Sequence, residues 1–133
     1  MKIDIITHGF EDELTLRIFD LSNDAVQHLV SAFEDVCQGI DRKIGGAGID
    51  STETAVSVLT HRDDNCLPCL EKRQGGWLWS MPSADWEEAT ERARYFLEVS
   101  QDRNRFQWLA GIGLGSTTAN FSVLISESPK GGW

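Results

Sequence analysis

Apolar positions alternate at the start of the chain and then change period, and that change outlines a fold. In residues 2–7, Ile3 and Ile5 share one side; in residues 13–20, Leu14, Leu16 and Ile18 point one way and Thr15, Arg17 and Phe19 the other. A two-residue period marks a half-buried strand. Gly9 and the acidic Glu11-Asp12 supply a turn between the two runs, so together they read as a hairpin. From Val26 the spacing lengthens to three and four residues. Val26, Leu29, Val30, Phe33, Val36, Cys37 and Ile40 trace the stripe of an amphipathic helix, with Ser22 or Asn23 placed to cap it.

Gly39 weakens the end of that helix, and Gly45-Gly46-Ala47-Gly48 reads as a flexible connection to a strand over 54–60 with Val56 and Val58 inward. Residues 61–75 are an irregular, charge-rich excursion. After it, Trp77 and Trp79 alternate with Leu78 and Ser80 in a short strand ended by Pro82. A second helix follows, capped by Ser83 or by Asp85, which stands at capping-box spacing from Glu88; its stripe is Trp86, Ala89, Ala93, Phe96 and Leu97. Strands over 105–111 and 119–126 and a short flexible tail at 128–133 complete the chain. The order ββαβ-βαββ predicts a single α+β domain over 1–133. Its sheet is expected to be largely antiparallel, with about six strands and both amphipathic helices packed on one face. The other face is then expected to present Lys2, Asp4, Arg17, Ser57, Arg105, Gln107 and Ser122 to water or to a partner.

Composition narrows the class. At 133 residues and 41% hydrophobic content the chain is long enough to bury a core. Five Trp and six Phe set it apart from a disordered acidic tail. No apolar run reaches the roughly 18 residues of a membrane span, and Asp4 and His8 interrupt the opening segment where a secretory leader would be apolar. The expected location is the cytoplasm, with reduced thiols, since three Cys do not make a disulfide framework. The sequence pI of about 4.7 argues against direct nucleic-acid binding, which needs clustered Lys and Arg, and equally against an anionic membrane surface.

Charge is unevenly distributed. Asp4, Glu11, Asp12, Glu13, Asp20, Asp24, Glu34 and Asp35 face only Lys2 and Arg17 in the first 36 residues, so this stretch carries −6 of the net −9. A negative lobe steers basic partners toward it. The expectation from this polarity is an acidic interaction protein that contacts a basic protein through Glu11, Asp12, Glu13, Asp20, Asp24, Glu34 and Asp35. An immunity protein against a nuclease toxin, or a phage-encoded inhibitor of a nucleic-acid enzyme, fits that description.

The chemical motifs are sparser. Cys66-Leu67-Pro68-Cys69 puts two thiols at the spacing that grips one zinc ion, and His61 adds a third ligand, one short of the usual four. A zinc-binding or thiol-dependent enzyme using Cys66, Cys69 and His61 is therefore the rival from another class. Thiol–disulfide exchange at the pair lacks its usual setting, because Gly75-Gly76 leaves little room for an active-site helix; reduced loop cysteines suffice. Gly111-Ile112-Gly113-Leu114-Gly115-Ser116 has Ser where a dinucleotide fingerprint needs its third glycine, and a strand rather than a helix follows. Glu87, Glu88 and Glu91 fit a solvated helix surface. No Ser, Cys or His arrangement amounts to a catalytic motif. A third expectation is a non-catalytic adaptor, monomeric or homodimeric through a sheet edge or the polar sheet face.

Overall fold

The computed structural model describes residues 2–8, 13–47, 53–63, 67–73, 76–98, 105–110 and 121–127. The elements are β1 (Lys2–His8), β2 (Glu13–Phe19), α1 (Asn23–Cys37), β3 (Arg42–Ala47), β4 (Glu53–Arg62), β5 (Cys69–Arg73), β6 (Gly76–Pro82), α2 (Ser83–Arg94), a 3-10 turn (Tyr95–Leu97), β7 (Phe106–Ala110) and β8 (Phe121–Ser126). The class is α+β.

The single, largely antiparallel six-strand sheet is not what forms. Eight strands lie in the order β5-β6-β4-β3-β1-β2-β8-β7. Four antiparallel pairs, β1/β2, β3/β4, β5/β6 and β7/β8, alternate with the parallel pairs β1/β3, β2/β8 and β4/β6. Among the described residues β1 and β3 pair at Lys2 and Ala47. The order can be followed as two four-strand blocks, β5-β6-β4-β3 and β1-β2-β8-β7.

Two strands escape the hydrophobic pattern. In β3, Gly45 and Gly46 pair with Val56 and Ala55, with an irregularity between Gly46 and Ala47; backbone alone makes a ladder, so a run that looks like a linker can be a strand. In β5, Leu70 is the buried position of Cys-Leu-Glu-Lys-Arg, and Glu71, Lys72 and Arg73 are exposed. Charge on an end strand discourages further pairing. The excursion expected over 61–75 accordingly shrinks, since β4 runs through Arg62 and β5 takes 69–73. The expected tail at 128–133 lies outside the described residues.

α1 forms because its stripe buries Val26, Leu29, Val30, Phe33 and Val36 while Ser22 Oγ accepts from the Ala25 N–H at 3.2 Å. It stops at Cys37. The Gly39 N–H donates to Val36 O and the Ile40 N–H to Asp35 O, with Gly39 at φ +85°, a left-handed ending that glycine adopts without strain. Ile40 is thereby carried out of the stripe and is 54% exposed. α2 begins directly after Pro82, which occupies the cap position without a side-chain hydrogen bond. Neither Ser83 nor Asp85 caps it.

One cluster unites both blocks and both helices. Ile3, Leu16, Ile18, Phe121, Val123 and Ile125 from one block join Ile44, Leu59, Leu70, Trp79 and Met81 from the other beneath α1 and α2. At its centre Trp79 and Trp86 lie 4.7 Å apart, and Phe33 sits 5.6 Å from each, edge-on to Trp79. Such aromatic contacts add about 1 kcal/mol apiece beyond the burial of area. Trp86 Nε1 donates to Thr60 O at 3.0 Å, while Trp79 Nε1 is buried without a hydrogen-bond partner among the described residues.

The reverse face of the β1-β2-β8 region is not the solvated surface that alternation suggests. Asp4, Thr15, Arg17, Phe19 and Ser122 are all buried, and every residue of β8 is buried. Arg17 meets this burial by a two-pronged contact, Nε to Asp4 Oδ1 at 2.6 Å and Nη2 to Asp4 Oδ2 at 2.7 Å, with its guanidinium over the Phe19 ring. Ser57 and Gln107 sit in β4 and β7. Among the described residues no helix is long and apolar enough to cross a membrane.

Candidate functional site

The seven acidic residues singled out by charge do not form one patch. Glu11 and Asp12 lie outside the described residues, and Glu13 opens β2 opposite His8. Asp20 occupies the turn between β2 and α1 at φ +55°, a region that Asp tolerates better than most side chains. Asp24 is in the first turn of α1, where a carboxylate suits the helix dipole. Glu34 and Asp35 stand at the other end of the helix. Ten residues at 1.5 Å each put Glu34 about 15 Å from Asp24, beyond the roughly 8–10 Å over which exposed charges act together in physiological salt.

Glu34 and Asp35 instead join acids from α2. They line a groove of about 520 Å³ with Cys37, Gln38, Glu87, Thr90, Glu91 and Arg94. The two helices create it by running side by side, α1 contributing its last turn and α2 the face that carries Glu87, Thr90, Glu91 and Arg94. Positions three and four apart on a helix share a face. That spacing was the available signal for Glu87 and Glu91, whose meeting with α1 only the fold reveals.

Arg94 is the cation of the lining. Its Nη2 donates to Glu34 Oε1 at 3.2 Å across the helix pair, and its Nη1 to Glu91 on its own helix. The Glu34 hydrogen bond, foremost, raises the Arg94 pKa further, so it stays protonated. Asp35 is engaged by Arg42. Glu87 has no ion-pair partner among the described residues. The lining thus sets four carboxylates against one arginine, and most of them are open to water: the Glu34 and Glu91 side chains are 51% and 71% exposed.

Cys37 lies on the floor, with Sγ 3.9 Å from Thr90 Oγ1. Thr90 Oγ1 also donates to Trp86 O at 2.7 Å. Burial pushes the Cys37 pKa up, and Glu87 and Glu34 add to this, outweighing Thr90 and Arg94. At neutral pH it is a thiol, a poor nucleophile. Farther along α2, burial and then Glu88 raise the pKa of Asp85.

The candidate zinc ligands are placed only in part. Cys66 lies outside the described residues. His61 is in β4, in register with Met81, whereas Cys69 is in β5, in register with Ser80. These are different rows of the ladder. Cys69 Sγ donates to Glu71 Oε1 at 3.1 Å. Among the described residues no three His, Cys, Asp or Glu side chains converge as a metal site requires. The Gly111–Ser116 run lies outside the described residues.

No family model, curated protein or solved structure matches the chain. The case for a function therefore rests on the geometry alone.

Proposed function

We propose that the protein is a small acidic interaction protein of the cytoplasm that binds a basic macromolecular partner through the groove between α1 and α2. The observation that carries this reading is the convergence of Glu34, Asp35, Glu87 and Glu91 on one concave surface between two packed helices. A groove lined by one sign of charge concentrates the field and speeds encounter with the opposite sign. The suited partner is a protein whose Lys and Arg groups otherwise contact nucleic acid, such as a nuclease toxin or another nucleic-acid enzyme. Covering those groups would inhibit it, as an immunity protein or a phage-encoded inhibitor does. Asp20 and Asp24, at the far end of α1, would add to long-range attraction without touching the bound group.

The test is a pull-down with tagged protein followed by association kinetics on the captured basic partner. The Glu34→Lys/Glu87→Lys variant should slow association at least tenfold and flatten its dependence on salt. Asp20→Lys/Asp24→Lys should slow it only a few-fold. Capture of no basic protein, or equal effects of the two double variants, would remove the groove as the binding surface.

A further inference from the structure

We draw no further inference here: the strongest candidate, the acidic groove between α1 and α2 with Cys37 on its floor, belongs to the site already described, and nothing besides its carboxylates and a lone thiol points to a particular ligand.

Discussion

The sheet and the helix pair use the same ion-pair chemistry in opposite surroundings. Asp4 with Arg17 and Arg105 with Glu127 are locked inside, with side-chain exposures of 12% and 9%, and 11% and 7%. Arg105 also donates to Tyr95 O and Phe96 O, both at 3.1 Å, and lies over both rings, tying the end of α2 to the β7/β8 hairpin. In the groove, Arg94 reaches Glu34 and Glu91 with much of every side chain in water. Buried charges must be paired because desolvation is costly, so the fold consumes the first set. Exposed pairs are worth little to stability, which leaves the second set free to exchange partners. The comparison separates charge that holds the protein together from charge available to something else.

The largest effects should come from breaking the inner pairs. Arg105→Ala and Arg17→Ala should each lower unfolding free energy by about 3 kcal/mol, since each strands a buried carboxylate. Replacing both partners by apolar residues, as in Asp4→Leu/Arg17→Met, should recover most of that loss. Urea denaturation measures both. Single variants that cost under about 1 kcal/mol would place these pairs with surface contacts and erase the distinction.

Removing the cap at Ser22 should cost less, about 1 kcal/mol for Ser22→Ala, read from the same urea curves. Because Ser22 starts the helix whose other end lines the groove, binding should survive this change. A loss of binding alongside unchanged stability would mean that the groove depends on the far end of α1.

Cys37 sharpens the comparison through pH. The folded thiol holds its proton more tightly than the unfolded one, whose ordinary pKa is 9.0. Its contribution is therefore complete below that value and is lost as pH climbs through the higher folded pKa. Melting temperature should fall across the alkaline range by a component that Cys37→Ala removes. Matching alkaline profiles for the two proteins would show that the thiol is not held in this way.

The smallest effect belongs to the exposed pair of Arg92 with Glu88, 2.9 Å apart one helical turn away from each other. Arg92→Ala should change stability by no more than about 0.5 kcal/mol. A larger loss in denaturation would mean that exposed pairs on α2 are structural too, and the groove carboxylates would then be less available than proposed.

Periodicity made the α+β class, the β1/β2 hairpin and the body of α1 legible in the sequence, because each buries one regular face. It could not reveal β3, whose pairing relies on glycine backbone, or β5, which buries Leu70 beside three exposed charges. Nor could it foresee the buried reverse face. A strand with Thr15 and Arg17 on one side reads as half-solvated until Asp4 is seen opposite Arg17. For the candidate site, charge counting found Glu34 and Asp35 but grouped them with acids about 15 Å away. Glu87 and Glu91 read as ordinary helix surface because the packing of α1 on α2 is a long-range fact.

The alternation of pair types along the eight-strand order bears on how the chain can come together. Each antiparallel pair joins strands that are neighbours in sequence, β1/β2, β3/β4, β5/β6 and β7/β8. Each parallel pair joins strands of two different hairpins and so waits on the closure of a longer stretch of chain. Four hairpins are the prefabricated parts, and the core shared beneath the helices is what assembles them.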